Sequence, residues 1–259
     1  MFKFAIFIAH LLNQERAVME NKADIINTLK QQVLAMQGHR RATGDVSQVN
    51  LGSILNAFPD KVFPTGAVHE FISQETEAAA ASIGFIAGLA SQLIRKDGIA
   101  FWIGPKRTIF PPALKVFGIK PQRLVFVELP KPKECLWAIE EILKCKAVSA
   151  VIGEVKDLSF ADSRRLQLAV ENSHVTGFIH RFKPRNENPV ACVTRWKVAP
   201  LPSAEVDIPG VGIPRWQIDL TKVRNGRPGS WQIEWIEKTF HEITQPGHII
   251  PQHYHFNTA

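Results

Sequence analysis

Residues Phe71–Leu93 read FISQETEAAAASIGFIAGLASQL: a short apolar run, a polar turn and a long helix-forming stretch of small residues. A strand, a loop and a helix in that order make a common cradle for phosphate. Glycines let backbone N–H groups approach the anion, a lysine reaches the terminal oxygens, and a Ser or Thr hydroxyl meets Mg²⁺. The turn here, Ser73, Gln74 and Glu75, holds neither glycine nor lysine. Glu75 and Glu77 set two carboxylates where phosphates would lie, with no cation beside them in the sequence. An acidic first turn is what an ordinary stable helix prefers. The segment is therefore expected to be a scaffold element that binds no nucleotide and no other cofactor.

Other chemistry-bearing residues fall in two basic groups. HRFKPRNENP, residues 180–189, carries Arg181, Lys183 and Arg185 after a predicted strand, where they are candidates for nucleic-acid phosphate contacts. Lys156 is a weaker candidate of the same kind. Lys222, Arg224 and Arg227 cluster on a late hairpin flanked by Trp216, Trp231 and Trp235, and with Trp231 they are candidates for a partner surface. His241, His248, His253 and His255 gather toward the end of the chain without a cysteine, so no metal site is expected. Cys135, Cys145 and Cys192 have no zinc-ligand spacing and suit a reducing compartment, so no disulfide is expected. Ser163, Ser173 and His174 lack the strand–turn–helix setting of a hydrolase nucleophile. No catalytic residue is assigned.

These residues need a sheet to hold them. Apolar, β-branched runs predict strands at Ala67–Ile72, Ile99–Ile103, Arg123–Glu128, Ser149–Val155, Gly177–Arg181 and Val190–Val198. Helices are predicted at Glu77–Arg95, Thr108–Phe117, Lys133–Lys144 and Ala161–Ser173. Alternation of strand and helix argues for an α/β fold, a mostly parallel twisted sheet with helices on both faces. Residues 214–236 break the pattern with two alternating strands around Asn-Gly and Pro-Gly, a late antiparallel hairpin. An amphipathic helix is predicted at Asp24–Met36, followed by a polar linker to residue 50. Residues 1–23 are expected to be a tail outside the fold, with Met19 an alternative start, and residues 241–259 a tail at the other end. The apolar run Phe4–Leu12 is too short to span a bilayer, so no membrane role is expected. The 259 residues carry a formal charge of +7, which favours anionic partners.

Read without gaps against the phosphate loop of RecA recombinase, VHEFISQETEAAAAS (Val68–Ser82) matches at Glu70 and Glu75. The loop's closing glycine falls on Ala78, its lysine on Ala79 and its hydroxyl residue on Ala80. Three further blocks, FPTGAVHEF (63–71), LWAIEEILK (136–144) and SRRLQLAVENSHVTG (163–177), make the chain resemble the ImuA family of RecA-like accessory proteins. The resemblance runs from about residue 51 to 235 and implies a degenerate RecA-like domain over 51–240. It places Pro105 and Lys106 where such ATPases carry their water-activating glutamate, and Glu154 near the magnesium-organising aspartate.

The resemblance implies work in SOS-induced translesion synthesis, a cytoplasmic mutagenic DNA-repair process. It implies an ImuB-like homologue of Y-family polymerases as partner, with RecA and single-stranded DNA as further ones. The expected role is a pseudo-ATPase adaptor, not an enzyme. Two alternatives stand beside it: a residual DNA-dependent ATPase, and a cell-division inhibitor like SulA, with which ImuA-like chains are grouped.

Overall fold

A computed structural model describes residues 49–95, 97–204 and 212–243. The predicted helix at 24–36, the flanking tails and His248, His253 and His255 lie outside the described residues. At the centre is β1 (Val68–Ser73), buried at all six positions. Such a strand has no solvent face, so its polar residues His69, Glu70 and Ser73 are buried with the apolar ones and must find partners inside the protein.

Around it stand β2 (Ile99–Gly104), β3 (Leu124–Glu128), β4 (Val148–Val155), β5 (Thr176–Phe182) and β6 (Thr194–Ala204). Three more strands follow: β7 (Ile213–Val223), β8 (Gly229–Ile236) and β9 (Thr239–Glu242). They form one sheet in the order β3-β2-β4-β5-β1-β6-β7-β8-β9. Pairing is parallel from β3 through β6 and antiparallel from β6 to β9. The expected mixed α/β class, with a mostly parallel sheet and late antiparallel strands, is the class observed.

Helix α1 (Thr76–Leu93) covers one face; α2 (Pro132–Leu143) and α3 (Phe160–Ser173) cover the other. The small residues of α1 have a packing reason. A Cβ on Gly84 would lie 3.1 Å from both Phe117 and Trp216, and one on Gly88 would lie 2.6 Å from Phe240. The helix is pressed into an aromatic layer in which Phe71 stacks on Trp196 at 6.0 Å and Phe85 meets Trp196 at 5.7 Å. On the other face, Gly153 lets Ile139 of α2 sit against β4. Ser159 caps α3 by accepting the Asp162 N–H at 3.0 Å.

Three predicted boundaries are corrected. Thr108–Phe117 is not an α-helix but a 3₁₀ turn over Pro111–Phe117, only seven residues long and stopped by Gly118 in the left-handed region. The sixth strand begins at Thr194, not Val190, and runs on to Ala204. The hairpin also extends, since β9 continues the sheet to Glu242 and includes His241. No helix among the described residues is long and apolar enough to cross a membrane.

Candidate functional site

The ends of β1 and β5 meet the first turns of α1, and there the residues matched to the phosphate loop lie. Ser73 closes β1 with its hydroxyl 2.9 Å from Ser82 Oγ, 3.0 Å from His180 Nε2 and 3.3 Å from the Ala78 carbonyl. One small side chain thus ties the loop to its own helix and to β5. Ala79, in the lysine's place, is buried, and its N–H already donates to the Glu75 carbonyl at 3.0 Å. Gln74, Glu75 and Ala80 are exposed and Ala78 is half-buried. The cradle is filled by side chains and cross-bonded.

The imidazole that meets Ser73 is no substitute for the lysine's charge. His180 is buried, and burial holds its imidazole down at about 4, so it is neutral near pH 7. Its Nδ1 has no hydrogen-bond partner among the described residues. Glu154, at the end of β4, accepts the Trp102 indole N–H at 2.5 Å. Burial raises its carboxyl above the ordinary range, and the indole bond opposes that rise. A buried carboxylate capped by an indole is poorly set to organise Mg²⁺. Pro105 and Lys106 are exposed, and beside them Arg107 is ion-paired with Glu128 at 3.7 Å. Among the described residues no group of His, Cys, Asp or Glu could hold a metal ion.

Glu70, matched to RecA by sequence, faces the opposite side of β1. Fully buried, its carboxylate takes Arg181 Nη1 at 2.6 Å on one oxygen and Arg195 Nε at 2.5 Å on the other. Both guanidinium groups then donate onward into the β5–β6 connection. Arg181 reaches the Asn186 carbonyl at 2.7 Å and Asn188 Oδ1 at 3.2 Å. Arg195 reaches the carbonyls of Asn188 at 2.5 Å and Glu187 at 3.3 Å. Arg181 is therefore corrected from a DNA contact to an internal strut: only 1% of its surface meets solvent. Arg195 is the residue that sequence reading missed. It stands in a predicted strand between Thr194 and Trp196, and with a second charge at Lys197 two residues on nothing in the sequence marks it as buried.

Lys183 and Arg185 remain on the surface. Lys183 Nζ sits 5.3 Å over the half-exposed Phe182 ring, and the Arg185 N–H donates to Asp157 at 2.9 Å. This loop and Lys156, which precedes Asp157, share one edge.

The hairpin residues are pulled inward. Lys222 donates to the Val190 carbonyl at 2.6 Å and Arg224 to the Ala191 carbonyl at 2.8 Å. The Arg227 N–H donates to the Ala57 carbonyl at 2.9 Å, and a Cβ on Gly226 would lie 2.2 Å from that same oxygen. The hairpin end thus docks on the 3₁₀ turn Gly52–Ala57 and is not a solvated tip. Trp231 is half-buried against the core, while Trp216 and Trp235 are buried within it. Of the four candidate partner residues, only Arg227 is exposed.

A largely parallel sheet flanked by helices on both faces and extended by antiparallel strands defines the class of this protein. Over 212 residues the chain is 32% identical to Protein ImuA of Caulobacter vibrioides, strain NA1000 / CB15N, covering 77% of this chain and 87% of that one. The protein of strain ATCC 19089 gives the same figures. The chain belongs to the ImuA family. A more distant likeness, 25% over 126 residues, links 49% of the chain to 73% of the Cell division inhibitor SulA of Yersinia pestis, strain Pestoides F. No family model matches the chain.

Proposed function

We propose that this protein is a non-catalytic adaptor in damage-induced mutagenic DNA repair, working through surfaces and not through ATP turnover. One observation carries the reading: the buried Ala79 replaces the phosphate-binding lysine, beneath a Ser73–Ser82–His180 network that occupies the cradle. Without the lysine, the main charge-assisted contact to a triphosphate is gone. Membership of the ImuA family supports the repair setting. The partners are an ImuB-like homologue of Y-family polymerases and RecA, with single-stranded DNA held by Lys183, Arg185 and Lys156. Arg227 is the exposed remnant of the proposed partner group.

Titration with a fluorescent Mg·ATP analogue tests the absence of a nucleotide site. The expected result is no saturable binding tighter than about 1 mM. Micromolar binding that disappears in Glu154→Gln would overturn the reading and restore a residual ATPase. Capture of the tagged protein from DNA-damaged cells, read by mass spectrometry, tests the partners. Recovery of neither a Y-family polymerase homologue nor RecA removes that part of the proposal.

The likeness to SulA favours one second reading, a cell-division inhibitor. Inhibition of FtsZ polymerisation by the purified chain would support it.

A further inference from the structure

Between β2 and β3 the chain builds a surface that the phosphate-loop reading does not use. The 3₁₀ turn Pro111–Phe117 repeats every three residues, so side chains three apart eclipse one another. One row, Pro111, Leu114 and Phe117, faces the protein: Leu114 is buried, and Phe117 packs against Trp216 and Trp235. The Trp235 indole N–H fixes the turn by donating to the Val116 carbonyl at 3.0 Å. The neighbouring row, Ala113 and Val116 with the N-cap residue Phe110 ahead of them, is also apolar and faces solvent, with Phe110 70% and Val116 60% exposed. At about 2 Å of rise per residue, the row is roughly 12 Å long. Phe110 is the most exposed large hydrophobic side chain among the described residues.

Charge around the row is one-sided. From Gly104 to Arg123 there are five basic residues and no acidic one. Arg107 and Arg123 are paired to Glu128 and Asp97. Lys106, Lys115 and Lys120 are exposed and make no salt bridge to the described residues. Lys238 packs beside Gly118 at the end of the turn, and the nearest acid in sequence to it is Glu237. An apolar row framed by unpaired ammonium groups is complementary to a peptide with apolar anchors set among carboxylates.

We propose that the Phe110–Ala113–Val116 row is a docking surface for a short acidic segment of a partner protein, seated by one or two apolar side chains. The row supplies the buried anchor contact, and Lys106, Lys115 and Lys120 supply orientation and salt-sensitive attraction. The turn is held from below by Leu114, Phe117 and the Trp235 bond, so it presents one shape to the partner. The surface does not depend on the state of the phosphate element.

The test uses the full chain and a short fluorescent peptide of alternating Asp and Glu around one Leu-Phe pair. Three controls accompany it: the same peptide with Ser for the apolar pair, the same peptide with Asn and Gln for the acids, and a single-stranded oligonucleotide. The expected result is binding of the acidic-apolar peptide above both peptide controls. Phe110→Ser and Lys115→Glu should each weaken it about tenfold without lowering the melting temperature. Equal binding of the Ser peptide, or parent-like binding by both variants, overturns the proposal. Binding of the oligonucleotide alone, lost in Phe110→Ser, overturns it in favour of nucleic acid. Sedimentation showing a dimer that Phe110→Ser dissociates overturns it in favour of a second copy of the chain.

Discussion

Glu70→Gln is the sharpest perturbation the fold offers. It preserves side-chain shape and removes the single negative charge that two guanidinium groups share, at 2.6 Å and 2.5 Å. Arg181 cannot turn to solvent, because it is 1% exposed and its Nη2 is already committed to Asn186 and Asn188. Arg195 is 14% exposed in its side chain and recovers only part of its hydration. Removing one partner of a buried ion pair costs about 3–5 kcal/mol, mostly because the remaining charge is left uncompensated. For a domain of this size that is a fall of about 6–20 °C in melting temperature. Urea unfolding followed by tryptophan fluorescence reads the change directly, since the chain has six tryptophans. The triple variant Glu70→Leu, Arg181→Met, Arg195→Leu should regain most of the stability, because apolar side chains fill the volume without buried charge. It should still leave the 182–189 connection loose, with faster trypsin cleavage after Arg185, because the carbonyls of Asn186, Glu187 and Asn188 have lost their donors. Glu70→Gln within about 1 kcal/mol of the parent would refute the idea that this triad is desolvated.

The remaining tests are smaller. His180 is held at about 4 against an ordinary 6.5, so between those values the unfolded chain binds a proton that the folded chain refuses; stability is full above pH 6.5 and falls as pH drops to about 4. The 2.5-unit gap (6.5 − 4) is worth about 3 kcal/mol. Glu154, held above its ordinary range, titrates with the opposite sign, so the quantity to measure is parent minus His180→Gln; equal acid slopes in the two would count against a buried neutral imidazole. Of the three thiols, Cys145 alone is exposed, while burial pushes Cys192 up to about 12 and raises Cys135; a thiol reagent should label one cysteine quickly in the native protein and three after denaturation, and rapid native labelling of two would contradict the packing. Gly153→Ala would place a Cβ 2.4 Å from Ile139 Cδ1 and should cost about 1–3 kcal/mol by urea unfolding, with partial rescue by Ile139→Val; a neutral effect would mean that α2 yields easily.

The parallel half of the sheet was readable because β1, β4 and β5 are buried on both faces and rich in apolar residues, and because strand and helix alternate along the chain. What sequence could not give depends on distant partners or on turns without their usual residues. β6 runs through Pro200 and Pro202, which argue against a strand. It tolerates them because β1 pairs with it only as far as Trp196, and beyond that β7 is its sole neighbour. The β8–β9 turn puts Glu237 and Lys238 at φ 49° and 62°, a conformation that Asn-Gly usually announces, so the last strand looked like a tail. Among the site residues, the lack of glycine and lysine between Ser73 and Glu75 is plain from the sequence alone. Arg181 was misread because its partner Glu70 is 111 residues away, and a basic residue at a strand end looks the same whether it faces solvent or a buried carboxylate.

The bonds around the strand ends have a consequence for how such a protein can act. In a nucleotide-driven switch, the loops beside the phosphate must have two arrangements that ligand binding tips between. Here each is tied to a neighbour by contacts that need no ligand. Gln74 donates to Glu187 at 3.4 Å, and Glu187 is paired with Lys197 at 2.8 Å. The Lys183 N–H donates to the Ser73 carbonyl at 2.8 Å, Arg185 is held to Asp157, and Asn188 reaches back to the Leu158 carbonyl at 3.0 Å. The Glu70 triad locks the same connection from beneath. A ligand can shift an equilibrium only by its differential affinity for two states, and ties of this kind disfavour a second state. The face formed by Lys156, Lys183 and Arg185 is therefore presented in one geometry whatever the nucleotide supply. That constancy supports the proposed adaptor role.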